Sequence, residues 1–123
     1  MTGVLEMIGR PLLSFRPFKP DRWLQDGDVL DVWHGLRAVH MPGHTRGHMG
    51  FYCESLRLLF SADLFASYRG CAHLPPAIFN SAPELIPASV RTAQGLDLVG
   101  FLPNHGDRAT PEVHLERLLK LSI

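Results

Sequence analysis

Val39-His40-Met41-Pro42-Gly43-His44-Thr45-Arg46-Gly47-His48 is the stretch whose reading decides the fold. Its histidines fall at every fourth position, a spacing that would stack three imidazoles on one face of a helix. Pro42-Gly43 forbids the helix, because proline removes a backbone donor and glycine carries the largest entropic penalty of any non-proline residue. The segment is therefore a loop leaving a strand, in which Gly43 and Gly47 give the backbone freedom to aim a side chain inward. A neutral imidazole on such a loop is a good nitrogen donor for zinc.

Two further candidate ligands lie downstream. Asp63 directly follows the apolar run of residues 57–61, and a carboxylate at a strand end can ligate one metal or bridge two. His105 sits in Pro103-Asn104-His105-Gly106-Asp107, after the apolar run Leu98-Val99-Gly100-Phe101-Leu102. All three lie at the ends of expected strands, where sites in α/β folds gather. The other histidines have plainer readings: His34 in a solvated turn, His73 in a loop without chemistry, and His114 on the outer face of a helix.

Around these positions the chain divides at Gly and Pro. Residues 4–13 give at most one short helix, in an apolar, extended opening. After a turn at residues 25–28, residues 29–33 and 36–41 form strands joined by a hairpin at His34-Gly35. Strands over 49–54 and 57–61 follow, joined by a tight turn. Residues 66–80 hold Gly70, Pro75 and Pro76 and no periodicity, so a surface loop is expected. Ser81 and Glu84 fit a capping box for a helix over 81–96, kinked or delayed by Pro87. Residues 97–103 are a final strand, apolar enough for burial on both faces. Thr110, Pro111 and Glu112 start the last helix, with Leu115, Leu118, Leu119 and Ser122 along one side. The expected fold class is α/β, one largely antiparallel sheet with two C-terminal helices on one face.

The 123 residues are enough for one domain, and 46% hydrophobic with 20% charged residues is the balance of a soluble globular one. Twelve basic residues cancel twelve acidic ones, so no net field draws in nucleic acid or an anionic membrane. No stretch approaches the roughly 18 apolar residues of a membrane helix, and residues 1–20 lack a signal-peptide cleavage pattern. Two cysteines, Cys53 and Cys71, are too few for a disulfide framework, and Cys53 suits a buried apolar position. The cytoplasm is the expected location.

The wording of these segments resembles the metallo-β-lactamase superfamily, which includes glyoxalase II-like hydrolases. His40 to His48 is similar to its H-x-P-G-H-T-x-G-H block. Leu59-Phe60-Ser61-Ala62-Asp63 is similar to its strand ending in G-D or A-D, and Leu102 to Asp107 to its P-x-H-G block. Asp26-Gly27-Asp28-Val29-Leu30 and the last helix also follow the family's order. The resemblance runs from about Asp26 to the end, and it divides the chain into an N-terminal segment, 1–25, and a domain, 26–123.

The resemblance implies the C-terminal half of an αββα sandwich. It implies that His44 belongs to one zinc, His105 to a second, and that Asp63 bridges them. His48 and His40 would stand behind the ligands, His48 orienting the loop. The implied reaction is attack by metal-activated hydroxide on an ester, thioester, amide or phosphodiester. The family's H-x-H-x-D-H segment has no counterpart in residues 1–42. Each ion would keep one histidine and the shared Asp63, short of the three or four protein ligands zinc usually takes.

A half-sandwich would also leave one apolar sheet face open, which favours association. The first expectation is a metallohydrolase whose site is completed by a homodimer, or by another chain that supplies the N-terminal half. The alternative is an inactive relic or a protein-interaction module that keeps half of the fold. A piece of an ordinary, longer enzyme is a third reading.

Overall fold

The computed structural model describes residues 16–123, so the short helix expected over 4–13 lies outside the described residues. In chain order the elements are β1 (Val29–Leu30), β2 (Leu36–His40), β3 (Met49–Cys53), β4 (Leu58–Phe60), β5 (Ala66–Tyr68), β6 (Cys71–His73), α1 (Ile86–Gln94), β7 (Gly100–Leu102), β8 (His105–Gly106) and α2 (Pro111–Leu119). The strands form a five-stranded sheet, β1-β2-β3-β4-β7, and a three-stranded sheet, β6-β5-β8. The mixed α/β class and the two helices agree with the sequence reading, while the second sheet was not expected.

Direction matters most for the site. β2 is antiparallel to β3, β3 is antiparallel to β4, and β4 is parallel to β7. β2, β4 and β7 therefore run the same way, and their C-terminal ends lie along one edge of the sheet.

Side chains alternate between the two faces of a strand, and the register sorts them. Tyr52, Leu59 and Phe101 are paired across β3, β4 and β7. They share the buried cluster with Val39, with Ile86, Val90 and Ala93 of α1, and with Leu118 of α2, so both helices contribute to the cover of this face. Phe101 packs edge-on against Phe65, ring centroids 5.7 Å apart. The Tyr52 hydroxyl donates to the Asp97 carbonyl at 2.8 Å, which gives its buried polar tip a partner. The opposite face carries the paired row Ala38, Phe51, Phe60 and Leu102. Its last three residues are half-buried, and Trp33 packs edge-on against Phe60.

Several expectations are corrected. β1 stops at Leu30 rather than residue 33, because residues 31–35 turn the chain: Trp33 and Gly35 have positive φ, and Gly35 N donates to Val32 O. Residues 66–80 are not all loop, since β5 and β6 form a hairpin across Arg69-Gly70. Positive φ at both of those residues, 53° and 80°, fits the turn geometry that matches strand twist. Ser81 does not cap a helix. Its hydroxyl donates to the His44 carbonyl, residues Pro83–Leu85 make one 3-10 turn, and α1 starts late at Ile86 with Pro87 in its first turn, where a missing N–H costs nothing.

The last core strand is only Gly100–Leu102, and Val99 is 42% exposed rather than buried. Thr110 does cap α2, its hydroxyl accepting from Val113 N. Leu118 is buried on that helix, whereas Leu119 is 55% exposed and Ser122 lies beyond its end. His114, expected on the outer face, is buried. Cys53 is buried as expected, and both cysteines are free thiols.

Phe101→Ala empties the centre of this core and should cost about 3–5 kcal/mol. Urea denaturation reads it directly, and a loss under about 1 kcal/mol would mean that the cluster is not the stabilising core.

Candidate functional site

The segments that follow β2, β4 and β7 all leave the same sheet edge, and they carry His44, Asp63 and His105 in turn. With the β5–β6 hairpin and the segment after it, they enclose a cavity of about 490 Å³. The three sequence candidates all line this cavity, together with Phe65, Tyr68, His73, Leu74, Pro75, Pro76 and Phe79.

The histidine loop is stapled from within. His48 Nδ1 lies 2.9 Å from the Met41 carbonyl. A carbonyl only accepts, so Nδ1 carries the proton, and the neutral ring keeps its lone pair on Nε2. His48 is buried, and Nε2 finds no partner among the described residues. His40 does the same from the other side, its Nε2 donating to the Arg46 carbonyl at 2.8 Å. His44 stands between them, half-buried, with a buried Nδ1 that also lacks a partner. The His44 and His48 rings are perpendicular, with centroids 6.2 Å apart.

The start of α1 and the turn before it hold the loop from outside. Ser81 N donates to His44 O, Ala82 N donates to Gly43 O, and the buried Ser89 hydroxyl donates to Pro42 O at 2.7 Å. Gly43 has φ 148°, and a Cβ there would stand 2.3 Å from Ile86 Cγ1, so this position admits only glycine without rearrangement.

Asp63 sits in a 3-10 turn, Ala62–Leu64, directly after β4. Its Oδ1 accepts from Asn104 Nδ2 and lies 3.5 Å from His105 Nε2. His105 opens β8, which pairs in parallel with β5 through Ala66. Burial holds the His48 imidazole below its ordinary pKa of 6.5, partly offset by its hydrogen bond to Met41.

Two imidazoles, a carboxylate and unpartnered ring nitrogens are the donor types that zinc and related divalent metals take. The donors thus fit a metal by chemistry and fall short by number. Among the described residues, no group of three or more His, Cys, Asp or Glu side chains is arranged to hold an ion.

Sequence reasoning missed the other wall of the cavity. His73 is in strand β6 rather than a loop. Its Nε2 lies 3.1 Å from Tyr68 O and its ring stacks on Tyr68 at 4.2 Å. The available signal was the pair of triplets, Ala66-Ser67-Tyr68 and Cys71-Ala72-His73, flanking Arg69-Gly70. Asn104, the partner of Asp63, was also missed. No helix among the described residues is long and apolar enough to cross a membrane.

Comparison with known proteins gives a consistent picture. A family model described as the metallo-beta-lactamase superfamily matches residues 3–117. A hydroxyacylglutathione hydrolase of Aeromonas hydrophila is 36% identical over 104 residues, covering 76% of this chain and 38% of that protein. An acyl-coenzyme A thioesterase of Gallus gallus is 41% identical over 49 residues, 39% of this chain and 18% of that one. A solved structure of TTHA1623 in a di-iron-bound form aligns with TM-score 0.64 at 27% identity, over 90% of this chain and 54% of that one. A metallo-beta-lactamase family protein from Thermus thermophilus aligns with TM-score 0.63 at 22% identity, over 83% and 34%, a likeness of fold. The chain spans about a third of the length of the curated hydrolases it matches.

Two predictions follow from the loop geometry. Gly43→Ala forces Ile86 to move and should cost about 1–3 kcal/mol in urea denaturation; an unchanged midpoint would show that the loop is loosely held. His48 makes the stability of the fold depend on pH. Its folded pKa is depressed, so the unfolded chain takes up the proton first. Stability is complete above the ordinary value of 6.5 and is lost as pH falls below it. His48→Gln should flatten the fall in urea midpoint between about pH 7.5 and 5.5, and an equal fall in both proteins would remove His48 as its source.

Proposed function

The chain belongs to the metallo-beta-lactamase superfamily, and from that membership we propose a metal-dependent hydrolase whose site is completed by a second chain. The observation that carries this reading is the convergence of His44, Asp63 and His105, from three separate segments, on one cavity. The proposed ligands are His44 for one ion, His105 for the other, and Asp63 shared between them. Zinc is the proposed metal, with up to two ions, and iron is the alternative that the di-iron form of TTHA1623 supports.

A bound metal supplies Lewis-acid polarisation of the scissile carbonyl and lowers the pKa of water. The protein's own part is arrangement. Asn104 holds one Asp63 oxygen in place, His40 and His48 fix the loop that presents His44, and Phe65, Leu74 and Phe79 give the cavity an apolar wall. Relatives named as a hydroxyacylglutathione hydrolase and an acyl-coenzyme A thioesterase support a thioester as the substrate, its acyl part against that wall.

His44, Asp63 and His105 leave each ion short of the three or four protein ligands zinc usually takes, and the remaining ligands are proposed to come from a second copy or from a chain that carries the other half. The half-buried Phe51, Phe60 and Leu102 support a face-to-face assembly, since burying apolar area is the driving force such a face offers. Free cysteines support a reducing, cytoplasmic setting. The second reading is an inactive relic or a protein-interaction module that keeps half of the fold.

Metal content and mass, measured together on a gel-filtration peak, separate the readings. A dimer with about one or more zinc or iron per chain, lost on His44→Ala, supports the completed site. Such a peak should also hydrolyse a thioester, with His44→Ala lowering the rate at least about tenfold. A metal-free monomer, unaffected by the substitution, leaves the binding-module reading.

A further inference from the structure

His105 lies on a strand pairing of only two residues, as short as any among the described residues, and most of the groups that hold this strand lie outside the cavity lining. β8 has two residues, His105 and Gly106, paired with Ala66 and Ser67 of β5. A two-residue ladder fixes little by itself. A polar cluster on the side away from the cavity completes the attachment.

Ser67 is fully buried and stands at its centre. Its carbonyl accepts from Asp107 N at 2.9 Å, which continues the β5–β8 ladder by one residue. Its hydroxyl is 2.6 Å from His114 Nδ1 and accepts from Arg117 Nη1 at 3.2 Å. The same Arg117 nitrogen lies 3.0 Å from both oxygens of Asp107. His114 and Arg117 are three residues apart on α2, so both project from one side of it. The Arg117 side chain is only 14% exposed, and partial burial strengthens such a charge-assisted contact relative to a surface pair. Gly106 is packed closely as well, since a Cβ there would stand 3.0 Å from Pro103 Cγ and 3.3 Å from His114 Cε1.

We propose that Arg117, through Asp107 and Ser67, is a positioning residue that sets where His105 stands relative to Asp63. The inference rests on the reading of His105 as a ligand only for its functional consequence; the mechanical link is independent of it. Asp107 is two residues from His105. Releasing it frees the end of β8 and lets the imidazole leave its 3.5 Å approach to Asp63. His44 and His48 are held by α1 and by their own loop, so they are insulated from this change. Arg117 meets Asp107 through a single nitrogen, and a lysine ammonium can supply the same point contact.

The test uses the full chain and needs no activity. Long-range proton–nitrogen spectra of the histidine rings are recorded, without metal, for wild type, Arg117→Met and Arg117→Lys. Arg117→Met should shift the His105 ring signals and leave those of His44 and His48 in place, and Arg117→Lys should restore them. Unchanged His105 signals in a folded Arg117→Met, or equal shifts in all three rings, overturn the proposal. Should Arg117→Met not fold, Asp107→Asn is read in the same way. Cobalt(II) titration, followed by visible absorption, adds the functional arm: affinity should fall about tenfold in Arg117→Met and recover in Arg117→Lys. If wild type takes up no cobalt, the hydrolase reading fails, while the ring signals still decide the positioning role.

Discussion

The parallel pairing of β4 with β7 is the constraint on which the rest depends. Antiparallel neighbours send successive strand ends to opposite edges of a sheet, so a meander alone would scatter its loops. β2 and β4 already share a direction because β3 lies between them. β7 joins them only because the chain crosses over through α1 and returns alongside β4, with Leu59 opposite Phe101. That return brings a third strand end, and His105 shortly after it, to the edge that already holds His44 and Asp63. The same register places Tyr52, Leu59 and Phe101 side by side under the helices, so the core and the cavity are fixed by one pairing.

The histidine loop shows how a segment without regular structure becomes rigid. A loop needs partners for its backbone groups, and here two imidazoles supply them by donating ring protons to the carbonyls of Met41 and Arg46. Three donors from the α1 end accept no substitute geometry at Pro42, Gly43 and His44, and the missing side chain at Gly43 lets Ile86 close against it. The result is a loop whose two outer histidines are committed to the backbone. The middle one faces the cavity wall.

Much of this was legible in the residues. The Pro42-Gly43 break forced a loop, the apolar runs located β2, β3 and β4, and Thr110-Pro111-Glu112 announced α2. Asp63 and His105 were found because each follows an apolar run. What escaped notice lacked an apolar signal. β5 and β6 carry four small residues, Ala66, Ser67, Cys71 and Ala72, beside Tyr68 and His73, and so lack the apolar alternation that marks a strand. His114 was assigned outward because its burial is decided by Ser67, which is 47 positions away in the chain. Ser81 looked like a cap, but a backbone carbonyl of the histidine loop competes for its hydroxyl. At His114 and Ser81 a long-range hydrogen bond outweighed a local preference.

β1 is an edge strand of only two residues, Val29–Leu30. Unpaired strand edges are templates on which further chains can add ladder hydrogen bonds, and proteins limit that hazard by keeping the edge short. At the opposite edge, β7 is three residues long and ends at Pro103, which has no N–H to give. Among the described residues, both borders of the sheet are therefore short. Short borders of this kind disfavour open-ended growth of a sheet through its edges.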